Sequence, residues 1–207
     1  WDIRVNYINI MQNRSFSIEE RLGILKAFYT KIEEYHNEKD FEVIEELLEE
    51  YSEGNIEFDS LKTLDLNESN EFYLSLIDEK LVKNIRSVRL KECVEEYKKE
   101  ILKVNDIAKY INDEKSILKL MDKYSYILEN YLVNQIFKDL IPFNKGESLN
   151  LSINILINSY RIIKAYTMGI ALNNKEINED LILRVIQSLS KDIEHNKVFK
   201  NLLESEI

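Results

Sequence analysis

Glu129, Asn130, Tyr131 and Asn134 stand inside an otherwise apolar run, ILENYLVNQIFKDLIPF (127–143). On a helix, residues three or four apart share a face, so Asn130 and Asn134 project together and Glu129 lies to one side. Large apolar residues occupy nearly all remaining directions, which predicts a central helix. Burying an unpartnered carboxamide costs about 1–3 kcal/mol, and a carboxylate costs more. These groups therefore either tie neighbouring helices together or orient a ligand in a polar pocket.

Asn158 and Arg161 raise the same alternatives, three apart in the apolar run ILINSYRIIKAYTMGIAL (155–172). A guanidinium in such surroundings needs a carboxylate to fork against, and Glu129 is a candidate. Near the end, IEHNKVF (193–199) sets Glu194, His195 and Asn196 side by side, a combination fit for acid–base work. Adjacent helix positions point about 100° apart, however, so no ready-made triad results, and a surface or capping histidine is the simpler account. Gln12, Asn13, Arg14 and Arg21 lie in MQNRSFSIEERL (11–22), where helix termination and capping explain most of the pattern. His36, among NEKD, reads as an exposed loop residue. Cys93 keeps helical spacing with Leu90 and Val94 and reads as a small core residue.

Composition narrows the chemistry. One cysteine and two histidines cannot build a zinc or iron–sulfur site unaided. The single cysteine also excludes an internal disulfide, which points to a reducing, cytoplasmic setting. A net charge of −10 argues against nucleic acid and anionic membranes and is compatible with a lysine-bearing protein partner. No run of about 18 apolar residues exists to span a bilayer. The chain opens on Trp1 rather than methionine, so it is expected to be part of a longer protein. No phosphate-binding glycine loop, nucleophile elbow, H-E-x-x-H or C-x-x-C is present.

The elements that must position these residues are helices. Gly (4) and Pro (1) are too scarce for many tight turns. Apolar residues recur at helical spacing nearly throughout, which predicts an all-α, irregular bundle of about seven to eight helices. Ser17 and Glu20 form a capping box for a helix reaching Tyr35. Asp40 and Asn178 are positioned to start later helices, and Gly54 to end one. The pattern from Glu71 to Ile111 reads as helix with a break. Pro142 should stop the preceding helix near Leu140. Residues 1–207 read as a single all-helical domain, with a candidate sub-boundary at 54–69 where the pattern is most irregular.

Three stretches, in order, resemble the C-terminal half of the bacterial flagellin lysine-N-methylase family. IRVNYINIMQNRSFSIEERL is similar to that family's Q-N-R followed by E-E-R-L. ENYLVNQIFKDLIPF is close to its E-N-Y-L-V-N segment with a later P-F, the most specific of the three. IQSLSKDIEHNKVFKNLL is similar to its ending with S-x-S, a basic residue and E-H-N. The resemblance runs from about residue 3 to 203. It implies an enzyme that methylates lysine side chains of flagellin, with S-adenosylmethionine as methyl donor. It also implies a cysteine-rich upstream half suited to a metal or iron–sulfur cluster, which this chain lacks. On that footing Glu129, Tyr131 and Asn134 are candidates to position or deprotonate the lysine amine. Gln12, Asn13, Arg14, Arg21, Asn130, Glu194, His195 and Asn196 are candidates to line a pocket, and Asn158 and Arg161 join them from the residue pattern alone. The alternative is a non-catalytic helical module that holds a protein partner or the missing half.

Overall fold

The computed structural model describes residues 1–52, 68–113, 115–142, 149–174, 176–193 and 203. They contain eleven helices and no strand. The helices are α1 (Asp2–Gln12), α2 (Ile18–Glu38), α3 (Phe41–Ser52), α4 (Asn70–Ser75), α5 (Glu79–Asn84) and α6 (Val88–Ile101), then α7 (Ile107–Asp113), α8 (Lys115–Lys123), α9 (Ser125–Lys138), α10 (Leu149–Asn174) and α11 (Glu179–Ile193). The all-α expectation holds. The higher helix count has a local cause. Ser69, Asp78 and Ser87 each accept a bond from a backbone N–H just beyond them and so begin α4, α5 and α6. Short polar side chains satisfy the orphan donors of a new first turn, which makes restarting cheap.

The other caps follow the pattern of the chain. Ser17 and Glu20 form the reciprocal capping box of α2. Asp40 accepts from Val43 N, and Asn178 accepts from Leu181 N. Helix α9 ends at Lys138, just ahead of Leu140 at φ 56 and a cis Ile141–Pro142 bond. Gly54 lies outside the described residues.

The chain divides into two compact units, Trp1–Leu66 with Glu129–Ile157, and Asn67–Leu128 with Asn158–Ile207. In the first, α1 packs on both α2 and α3. Tyr7, Met11, Leu22, Leu25, Phe28 and Ile32 are fully buried there. Phe28 carries Tyr51 at 4.3 Å and Tyr7 at 5.6 Å between ring centroids. In the second, α6 packs on α11, and Tyr97 meets Tyr166 edge-on at 4.8 Å. The Tyr97 hydroxyl donates to the Tyr73 carbonyl and the Tyr166 hydroxyl to that of Leu76, so two phenols close the end of α4.

Helix α9 departs from expectation. Leu132 and Ile136, one turn apart, are fully buried, and Glu129 completes that face. Asn130, Asn134 and Phe137 lie on the opposite side and are exposed. The helix is buried along one face rather than all round. The two carboxamides need no buried partner, because water satisfies them.

Candidate functional site

Arg21 leaves the first turn of α2 at a position set by the capping box. Its Nε donates to the Phe16 carbonyl and its Nη1 to the Met11 carbonyl, both at 2.8 Å. One guanidinium thus closes the open C-terminal end of α1 and braces the turn into α2. The Asn13 side chain accepts from Ser15 N in the same turn. Arg21 Nη1 also donates to Glu129 Oε2 at 2.7 Å.

Glu129 accepts from a second arginine. Arg14 Nη2 donates to Oε1 at 2.9 Å, and Arg14 Nε reaches both oxygens at 3.2 Å. The Arg21 and Glu129 side chains are each 5% exposed, whereas that of Arg14 is 69% exposed. Burial pushes the Glu129 carboxyl up. The hydrogen bonds and charges of Arg14 and Arg21 outweigh it and hold the group below its ordinary value. Both oxygens are engaged, so Glu129 is a counter-charge and a weak base. The cluster carries two guanidiniums and one carboxylate, and its surplus positive charge faces solvent at Arg14.

Arg14, Arg21 and Glu129 come from the stretches singled out as Q-N-R, E-E-R-L and E-N-Y-L-V-N, and the fold brings them together. Gln12 is exposed, and Asn13 and Tyr131 are half-buried. Glu194, His195 and Asn196 lie outside the described residues.

Asn158 and Arg161 form a separate network in the second unit. Arg161 Nη1 donates to Asn158 Oδ1 at 2.7 Å. Its other edge forks onto Glu68 at 2.7 and 2.6 Å, and its plane covers the Phe72 ring at 4.8 Å. Asn158 Nδ2 in turn donates to the Leu203 carbonyl at 2.9 Å. The carboxylate expected here was Glu129. The structure corrects that to Glu68, because Arg14 and Arg21 already occupy both Glu129 oxygens.

A further feature of the second unit escaped the sequence. Glu96, Ile170, Glu176, Asn178, Asp180, Leu181 and Arg184 line an open cleft of about 280 Å³. Arg184 forks onto Glu96 at 2.8 and 2.7 Å. The two residues are 88 positions apart, and no local pattern links them. With Arg184 so engaged, the cleft offers Glu176 and Asp180 as its remaining charges. That suits a cation, and it does not suit the carboxylate of an amino-acid-like methyl donor. Among the described residues no three His, Cys, Asp or Glu side chains gather as a metal site, and no helix is long and apolar enough to cross a membrane.

A family model described as the FliB lysine N-methylase C-terminal domain matches residues 4–207. No curated protein and no solved structure matches the chain.

Proposed function

The chain belongs to the FliB lysine N-methylase C-terminal domain family, and from that premise we propose that it is the helical portion of a cytoplasmic protein lysine N-methyltransferase acting on flagellin, with S-adenosylmethionine as methyl donor. One observation carries the reading beyond the family match. Arg14, Arg21 and Glu129, from the first two family-like stretches, converge in one ion cluster.

Methyl transfer needs a neutral amine lined up with the donor methyl. Glu129 is poorly placed to deprotonate it, since its oxygens are taken and its carboxyl is held acidic. Its part is to fix α9 against the turn between α1 and α2. Tyr131 and Asn134, on the same helix, remain the candidates to touch substrate. The net charge of −10 steers a lysine-bearing protein towards the enzyme.

The test uses the full-length enzyme, flagellin and S-adenosylmethionine. Asn134→Ala should keep its melting temperature and lose at least about tenfold in lysine methylation read by mass spectrometry. Wild-type methylation by this variant overturns the placement at Asn134. A second reading, a non-catalytic module, draws on the full engagement of Glu129. It expects the isolated chain to bind flagellin and to bind no S-adenosylmethionine in calorimetry.

A further inference from the structure

Glu129 meets more positive charge than its own charge requires. The buried Arg21 alone balances it, at 2.7 Å and with both side chains 5% exposed. Arg14 arrives as a second cation and leaves the cluster with one positive charge in surplus. An arginine whose side chain is 69% exposed adds little to a pair already balanced, because water screens the attraction and the long side chain loses freedom. Neutralising Glu129 therefore does not account for Arg14.

The way Arg14 is held suggests what it does. It donates to Glu129 through Nε and Nη2, which lie along one edge of the guanidinium. Among the described residues its Nη1 makes no hydrogen bond. Arg161, by contrast, uses all three of its nitrogens. A guanidinium clamped along one edge has already lost its rotamer freedom and points its remaining donors in a fixed direction, which preorganises it for a second carboxylate. Arg14 meets α9 at Glu129, next in the chain to Asn130, and the Asn130 and Asn134 side chains are exposed one turn apart. Residues 130–137 (NYLVNQIF) include no charged residue, so discrimination by charge along this stretch falls to Arg14. Glu129 and Asn134 are five residues apart, which is about 7.5 Å along a helix axis. An extended segment advances about 3.3 Å per residue, so that gap corresponds to about two residues of a substrate lying along α9.

We propose that Arg14 is a specificity-determining residue, which binds the carboxylate of an Asp or Glu lying within about two to four positions of the lysine that flagellin presents to Asn134. It rests on the proposed activity and on the placement of substrate at Asn134, and it adds which lysines are chosen. The two ends of the stretch divide the work by charge. The neutral carboxamides face the amine, which must be uncharged to accept a methyl group, and Arg14 takes the neighbouring carboxylate. The net charge of −10 draws lysine-bearing surfaces to the enzyme without distinguishing one lysine from another. A fixed cation beside the substrate helix supplies that distinction, because a carboxylate at the right spacing gains a partner and a second lysine there is repelled.

The test compares the full-length wild-type enzyme with Arg14→Gln on flagellin and S-adenosylmethionine, with methylation resolved lysine by lysine by peptide mass spectrometry. Lysines with an Asp or Glu within about four positions should lose about three- to tenfold in kcat/KM, mainly through KM, and lysines without one should change less than about twofold. The loss should shrink at about 1 M salt. Replacing such an acid in flagellin by its amide should cost the wild-type enzyme the same factor and cost Arg14→Gln nothing further. Those flagellin variants test the proposal with wild-type enzyme even where Arg14→Gln folds poorly. An Arg14 that only braced the fold would slow every lysine alike, so a uniform loss overturns the proposal, as does no loss at all or indifference of the wild-type enzyme to the neighbouring acid. Each of those results leaves flagellin methylation itself standing. No methylation by the wild-type enzyme overturns the proposed function and this inference together, so the two failures are distinguishable.

Discussion

Glu129 and Arg21 form a 2.7 Å ion pair with each side chain 5% exposed, across 108 residues of sequence. Removing one partner of such a pair leaves the other charge buried without compensation, which costs about 3–5 kcal/mol. Glu129→Ala should therefore lower the unfolding free energy by that amount, read as a lower denaturant midpoint with the slope unchanged. Glu129→Gln keeps one acceptor oxygen and should cost less. A Glu129→Ala protein that unfolds with wild-type stability would show that the cluster does not hold the first unit together.

The same pair sets an acid response. The folded-state Glu129 carboxyl lies below its ordinary value of 4.5, because the bonds and charges of two arginines overcome the cost of burial. A carboxyl with a depressed folded-state pKa contributes stability above its unfolded value, and that stability is lost as pH falls through the folded one. The gap between wild type and Glu129→Gln should be full at neutral pH and close progressively below about pH 4. Urea titrations at several pH values would measure it, and a gap independent of pH contradicts the assignment.

Local rules were legible in the chain, and long-range pairings were not. Ser17, Asp40 and Asn178 announced helix starts because a cap acts within three residues. Asn158 and Arg161 were readable as neighbours for the same reason. Glu68 as the partner of Arg161 was not, because 93 residues separate them. The burial of Asn130 and Asn134 was misjudged on different grounds. Counting apolar residues around a helix says how much of its surface could be buried, whereas which face is buried depends on the neighbours. Here the face holding Glu129, Leu132 and Ile136 won. Glu129 itself, a carboxylate that had to find partners, was identified correctly from the sequence.

Buried phenols give an alkaline counterpart to the acid response. Burial, with help from Glu50, pushes the Tyr51 hydroxyl up to about 12. Burial raises Tyr7 well above its ordinary value, with contributions from Tyr29 and Glu33. Groups with raised folded-state values contribute stability in full below the unfolded value of about 10, and that stability is lost as pH rises through the folded values. Phenolate absorbance should therefore include a late, cooperative phase that coincides with loss of helicity. Among the described residues the Tyr7 and Tyr51 hydroxyls are buried without hydrogen-bond partners. Tyr51→Phe should accordingly be neutral or stabilising by up to about 1 kcal/mol, and a loss larger than that would reveal a bound acceptor.

Gly169 separates helix propensity from packing. It lies within α10, where replacing glycine by alanine ordinarily gains about 1 kcal/mol. A Cβ built at Gly169 would run into the Cε2 and Cδ2 edge of the Tyr97 ring. That ring has little room to retreat, because its hydroxyl is bonded to the Tyr73 carbonyl and it packs in a T-shaped contact with Tyr166. Forcing a methyl into a well-packed interior costs about 1–3 kcal/mol. Gly169→Ala should therefore destabilise the protein despite its better helix former, and Gly169→Ala with Tyr97→Leu should recover part of the loss, because the smaller side chain vacates the space the methyl needs. Thermal unfolding of the two variants beside Tyr97→Leu alone gives the coupling between the sites. Additive effects would mean that the Tyr97 ring does not lie over Gly169.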